Sequence, residues 1–261
     1  MTLLPRFISV STCLSALSVV AAIGLWWAIT ASAWVPPEML ASPAQVLAAL
    51  GEILREGYRG TTLAQNVTAT LGRCLLGFVL AVLSGVPIGL LMGLQPRANA
   101  AFGGLVQFPR PLPPLSYMIL LILWFGTGDG SKVALLYLTA LPIIISAAVS
   151  GVRSVPIARL RAARSLGSGF WQTIFLVVLP SSLPALFTGI RIALAAAYST
   201  TVASELFAAT NGLGWMVLSG SHFLRNDIVL LGILILGLAG MAFSRTLLVL
   251  ERRLVHWQGR A

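Results

Sequence analysis

Six apolar runs alternate with short polar segments along the chain, at 9–33, 68–94, 102–125, 132–150, 182–208 and 228–250. Each approaches or exceeds the roughly 20 residues a helix needs to cross about 30 Å of hydrocarbon. The pattern predicts an all-α integral membrane protein with six transmembrane helices. Pro109, Pro111, Pro113 and Pro114 break the third run and restrict regular helix to about residues 116–125. Irregular backbone at membrane depth is tolerated only where protein or a watery cavity satisfies it, so this segment is expected to be short or partly re-entrant and to face the bundle interior. Residues 43–57 have a helical period and mixed charge, and read as a short helix on the outer membrane face.

Composition changes the picture little. With 57% hydrophobic and 9% charged residues and a mean hydropathy of +0.93, the chain has too little polar surface to cover a soluble globule of its size. The first run, flanked by Arg6 and the cleavage-like Ala31-Ser32-Ala33, is longer than the 7 to 15 residues of a signal peptide core and reads as an uncleaved anchor.

Charge sets the orientation. With six spans and the N-terminus inside, the inner segments hold Arg6, Arg97, Arg153, Arg159, Arg161, Arg164, Arg252, Arg253 and Arg260 against Glu251. The outer segments hold Arg55, Arg59, Lys132 and Arg225 against Glu38, Glu52, Glu56, Asp129 and Asp227. Short cytoplasmic loops retain positive charge, so both termini and the 151–181 loop are expected in the cytoplasm. Topology and anionic headgroups account for the net charge of +10. A nucleic-acid partner is not implied, since no soluble domain interleaves aromatics with the basic residues. Cys13 and Cys74 fall in or beside spans, which argues against a disulfide framework, and the Asn66-Val67-Thr68 sequon carries no weight.

The segment 154–180 reads as two short helices around a glycine turn. Ser154 suits a cap and Pro156 a first turn, and residues 158–166 are mostly good helix formers. Gly167 suits the positive φ that ends a helix, and Ser168 can cap a second one beginning at Gly169 or Phe170. Leu179-Pro180 is expected to break or kink that second helix. Leu160, Ala163 and Leu166 would form one apolar stripe, with Arg161 and Arg164 on a neighbouring face. On these features alone, the helix could equally lie on anionic lipid.

A more specific pattern overlies it. Ala162-Ala163, then Gly167, then nine residues, an aliphatic Val177, one residue and Leu179-Pro180 is similar to the cytoplasmic motif of permease subunits of ABC importers. The stretch 115–126 ending Ile122-Leu-Trp-Phe-Gly126, then Gly128-Asp-Gly-Ser-Lys132, Trp171-Gln-Thr173, Gly189-Ile-Arg191, Ala203-Ser-Glu205 and Gly212-Leu-Gly214 resemble the nitrate, taurine and aliphatic sulfonate branch of that family, in the same order. The resemblance implies an inner-membrane subunit of a bacterial importer, pairing as a homodimer with a second copy and with two cytoplasmic ABC ATPases that hold the ATP and magnesium. A periplasmic or lipid-anchored substrate-binding protein would deliver a small anionic solute such as a sulfonate, taurine or nitrate. Relatives of similar pattern carry aromatic acids or pyrimidine vitamin precursors, which form the alternative cargo.

The same resemblance implies a coupling helix docking into the ATPase, with Arg161, Ala162, Ala163, Arg164, Leu166, Gly167, Leu179 and Pro180 as its coupling residues. The family carries Glu where this chain has Arg161. The usual charge pair is therefore lost, and either an acidic groove on the ATPase or shape together with Arg164 must replace it. In domain terms, an anchor span and outer connector occupy 1–66. A five-span core with the coupling loop at 153–180, between spans four and five, occupies 67–250, and a basic cytoplasmic tail 251–261.

Within the spans, an ionised side chain costs about 2.5 to 3.5 kcal/mol near the bilayer centre, so Arg191 and Glu205 must face protein or water. Fourteen residues of helix hold them about 21 Å apart. Glu205, nearer the outer end, is a candidate gate or a partner for Arg73. Arg73 and Arg191 could also line an anion pathway. Gly85, Gly89 and Gly93 form a small-residue stripe for close helix packing, with the homodimer seam one location for it.

Two rival functions find less support. The glycine-rich 126–132 lacks the spacing of a phosphate loop, His222 and His256 fall in different compartments, and one intramembrane carboxylate makes no catalytic dyad, so neither ATP hydrolysis nor a metal centre is expected in this chain. A proton-coupled secondary transporter using Glu205 would predict an inverted repeat, and none is visible.

Overall fold

The computed structural model describes residues 4–32, 34–36 and 39–255, with the side chains of 4–13 and of Ala208 left aside. Readings placed on Arg6, Cys13, Ala33, Glu38, His256 and Arg260 fall outside what is described. The described residues are almost entirely helical: α1 Leu4–Ala31, α2 Pro43–Glu56, α3 Leu63–Leu94, α4 Pro96–Gln107, α5 Met118–Phe125, α6 Asp129–Arg153, α7 Ile157–Ser165, α8 Phe170–Thr173, α9 Leu179–Ala208, α10 Leu213–His222 and α11 Asn226–Leu254. Among the described residues, five helical stretches, Leu14–Ala31, Leu63–Leu94, Asp129–Arg153, Phe170–Phe207 and Asn226–Leu254, are long and apolar enough to cross a membrane. The third predicted run has no such helix. It resolves into α4, a turn through the prolines, a 3-10 turn Pro114–Tyr117 and α5, because each proline removes a backbone donor and restrains its predecessor. α5 is not enclosed on all sides. Met118 and Leu121 are buried, while Ile119, Leu123 and Trp124 are exposed in the chain.

The chain divides into two compact units, Met1–Leu63 with Met216–Ile235, and Ala64–Trp215 with Leu236–Ala261. In the first unit, α2 carries a complete capping box: Gln45 N donates to Ser42 Oγ and Ser42 N to Gln45 Oε1. Its inner face is Val46, Ala49 and Ile53. Arg225 binds Glu52 at 2.7 Å and Asp227 at 2.9 Å, and these hydrogen bonds, the one to Asp227 first, raise the guanidinium above its ordinary range.

In the second unit the core lies among α3, α6, α9 and the later turns of α11, with Phe78, Ala81, Ile144, Ala148, Phe187 and Ala193 among its buried side chains. Small residues let these helices approach. A Cβ at Gly89 would lie 2.5 Å from Ala148 Cβ and 2.7 Å from the Ile145 carbonyl, and one at Gly93 2.7 Å from Val152 Cβ. The stripe Gly85, Gly89 and Gly93 is thus filled by α6 of the same chain, which corrects its suggested place at a homodimer seam. The four-residue period keeps one row of α3 bare enough for a neighbouring backbone.

Candidate functional site

Two features of the second unit carry the sequence-predicted residues. The first is a buried polar clasp built on Glu205. Glu205 and Arg73 are 1% and 5% exposed, and Arg73 Nη1 donates to Glu205 Oε1 at 2.8 Å. Thr70 Oγ1, one turn earlier on α3, lies 2.9 Å from both carboxylate oxygens, and Gly214 N donates to Oε2 at 2.8 Å. The rest of the guanidinium is also used: Nε donates to Asp129 Oδ1 at 2.7 Å, Nη1 to the Asn211 carbonyl at 3.0 Å, and Nη2 to Asn211 Oδ1. A buried ion pair is tolerable when every lone pair and proton finds such a partner.

The loop after α9 is drawn into this network. Leu213 N donates to Thr70 Oγ1 and Gly212 N to Asn66 Oδ1, each at 2.8 Å. Gly212 has φ +119°, and a Cβ there would sit 2.5 Å from Glu205 Cδ, so glycine is required on conformational and steric grounds. The separate motifs Ala203-Ser-Glu205 and Gly212-Leu-Gly214 are two sides of one contact. Nearby, Lys132 is buried and its Nζ donates to the carbonyls of Thr127 at 2.9 Å and Gly128 at 3.1 Å. Its charge therefore closes the turn before α6 rather than lying free on a loop.

Arg191 stands apart. It lies 3.5 Å from Glu251, an ion pair too long for a good hydrogen bond. Asn66, Thr70, Asp129 and Asn211 join the clasp without having been expected there from the sequence. Asn66, Thr70 and Arg73 at spacings of four and three make a polar face in an apolar run, and that was the available signal.

The second feature is the hairpin after α6. α7 runs Ile157–Ser165 with Pro156 as its N-cap residue. Ser154 does not cap it, since its Oγ donates back to the Gly151 carbonyl at 2.8 Å as α6 ends. Gly167 has φ +78°, and a Cβ there would meet nothing within 4 Å. Gly167 N and Ser168 N close onto the carbonyls of Arg164 and Ala163. Ser168 does not cap α8 either. Gly169 takes that place, its N–H donating to Gln172 Oε1 at 2.9 Å, while Ser168 Oγ lies 3.0 Å from Thr173 Oγ1.

The expected apolar stripe is incomplete. Ala163 is buried and Leu160 packs on Val152, Val155 and Val178, but Leu166, past the last helical residue, is 88% exposed. Arg161, Ala162 and Arg164 are exposed as well. Leu179-Pro180 does not break the helix. A π-helical turn, Ile174–Val178, runs straight into α9, and the irregularity falls just before the proline whose missing N–H relaxes the ladder.

The family model described as "Binding-protein-dependent transport system inner membrane component" matches residues 85–256. The taurine transport system permease protein TauC of Escherichia coli (strain K12) is 41% identical over 90% of this chain and 86% of its own. The chain belongs to the family of binding-protein-dependent transport system inner membrane components. Its members are transport permeases, with ATP hydrolysis in a separate subunit. The nitrate import permease protein NrtB of Leptolyngbya laminosa is 28% identical over 76% of this chain and 72% of its own. The fold is similar to that of a solved chain of the MetNI methionine ABC transporter in an inward-facing conformation, with a TM-score of 0.60, 19% identity, and coverage of 72% of this chain and 95% of that one. Among the described residues no group of three His, Cys, Asp or Glu side chains is placed to hold a metal ion.

Proposed function

We propose that two copies of this chain form the membrane path of an ATP-driven importer for a small sulfonate or nitrate-like anion, delivered by a binding protein. The observation that carries the cargo class is the 41% identity to the taurine permease over 90% of the chain. Partners are a second copy, a cytoplasmic ABC ATPase and the binding protein, with lipid around the bundle.

In this reading the short segment Pro114–Phe125 joins the five long helices as a sixth, partial crossing. The arginines at 153, 159, 161 and 164 support a cytoplasmic hairpin and, with six crossings, cytoplasmic termini. The anchor and connector occupy 1–66, the core 67–250 and the basic tail 251–261. α7 docks on the ATPase, with Arg161, Ala162, Arg164 and Leu166 presented outward and Ala163 seating the helix on the core. Gly167 shapes the knob, and Leu179-Pro180 begins the rod that carries its motion. The exposed cations at 161 and 164 favour an acidic groove on the partner. Closing the ATPase pair would draw the two hairpins together, and the differential contact of the ATPase with the two states supplies the free energy.

Arg73 and Glu205 belong to the frame of the outer gate in this scheme, and Arg191 to the inner half of α9. Proton coupling through Glu205 is the poorer reading, because Thr70, Arg73 and Gly214 already occupy its carboxylate. The deciding experiment co-purifies the chain with its ATPase, with and without residues 157–167, and follows taurine and nitrate uptake in proteoliposomes. Loss of the complex on deletion and ATP-dependent uptake by the intact complex support the proposal. A complex indifferent to the deletion, or uptake driven by a proton gradient without ATP, refutes it.

A further inference from the structure

The candidate pathway arginines of the sequence are both engaged, Arg73 in the clasp and Arg191 with Glu251. A third, Arg110, is not: no carboxylate among the described residues pairs with it. It sits on the proline-broken turn between α4 and α5, where irregular backbone is tolerated if it borders a watery space. It borders two. A cavity of about 430 Å³ is lined by Arg110 together with Tyr117, Thr139, Ser199 and Thr200, set among mostly apolar side chains such as Leu112 and Ile192. A smaller one of about 190 Å³ is lined by Arg110, Asn99, Gln107, Ser146, Ser150 and Arg153. Arg153 ends α6, at the entrance to the hairpin. No acid among the described residues lines either cavity.

We propose that Arg110 is the anion-selecting residue of the translocation path, handing an oxyanion group such as a sulfonate or nitrate from the larger cavity to the smaller one and to Arg153. This rests on the anionic-cargo reading above. A guanidinium presents a planar fork that matches two oxygens of an oxyanion. The Tyr117, Ser146 and Ser150 hydroxyls with the Asn99 and Gln107 amides line the two cavities as further donors, the Thr139 and Ser199 hydroxyls being given to the Leu135 and Ala195 carbonyls. An acid-free wall adds selectivity, since nothing there repels the anion or neutralises the arginine. The two cavities share one cation, so an anion leaving the first need not lose its counter-charge before reaching the second.

The test uses the reconstituted complex of permease, ATPase and binding protein, and reads taurine moved per ATP hydrolysed. Arg110→Gln is expected to lower that ratio at least fivefold, with Arg110→Lys restoring at least half of it. Ser146→Ala/Ser150→Ala, which keeps both arginines, is expected to lower it at least twofold and covers the case in which Arg110→Gln does not assemble. A smaller loss in Arg110→Gln, no rescue by lysine, or an unchanged serine variant overturns the assignment. If the wild-type complex moves neither taurine nor nitrate, the cargo reading itself fails. Wild-type uptake with an indifferent Arg110→Gln sinks only the role of Arg110.

Discussion

Arg73 and Glu205 lie 132 residues apart in sequence and meet at 2.8 Å, joining α3 to the last turns of α9 beneath the loop that carries Gly212. Around that one contact, Thr70, Asp129, Asn211 and Gly214 supply further hydrogen bonds to the two charged groups. The pair is part of a closed polar network, so its members should not be separable without large loss.

Glu205→Ala leaves the Arg73 guanidinium buried beside an empty site. Breaking one side of a buried, hydrogen-bonded pair costs about 3 to 5 kcal/mol, and thermal unfolding in detergent should show a drop of that order. Glu205→Gln keeps the shape and should lose less. A fall below about 1 kcal/mol in the alanine variant would show that the network does not stabilise the fold.

Gly212→Ala tests the same site from its other side. The new methyl would have to displace the carboxylate from 2.5 Å, and the φ of +119° is unfavourable for any L side chain. We expect a loss of about 2 kcal/mol or more, with Gly60→Ala as a comparison: it shares a positive φ but meets nothing within 4 Å, and should cost about 1 kcal/mol.

Helix approach can be tested on α3 alone. Gly89→Ala pushes against Ala148 and the Ile145 carbonyl, and overpacking of this kind costs about 1 to 3 kcal/mol. Gly72→Ala, with open space around it, should be neutral or stabilising by up to about 1 kcal/mol. Equal stabilities in the two variants would contradict the packing described.

Gly167→Val separates coupling from folding. There is room for the side chain, but a β-branched residue is strained at φ +78°, so the turn should open while the helical core holds. Uptake is expected to fall at least tenfold with the unfolding temperature little changed. Arg164→Glu should weaken ATPase co-purification, and unchanged assembly and uptake would remove that residue from the interface.

The long apolar helices were legible because the bilayer demands length and apolarity together, and the glycine turn because few residues but glycine tolerate its φ. The caps of the hairpin were misread for local reasons. Ser154 is still bound to the last turn of α6, and Gly169 leaves Gln172 free to reach back in the place expected of Ser168. Opposite charges on two apolar runs pointed to the Arg73–Glu205 contact. Asn66 shares the polar face of Thr70 and Arg73 on its run, whereas Asn211 joins the contact only through tertiary placement, which no local pattern encodes. The glycine row on α3 announced a close neighbour without naming it, since α6 and a second copy would leave the same trace. The π-helical turn had no signature beyond the nearby proline.

That turn bears on the phase of the long rod from Phe170 to Phe207. A π turn is an α-helix holding one surplus residue, so its flanks keep their facing when the surplus is taken away. Deleting Leu176 should therefore let the winding close up with Glu205 still beneath Thr70. Deleting Ala195, in regular α winding, should swing every later side chain through about 100° and carry the carboxylate off its partners.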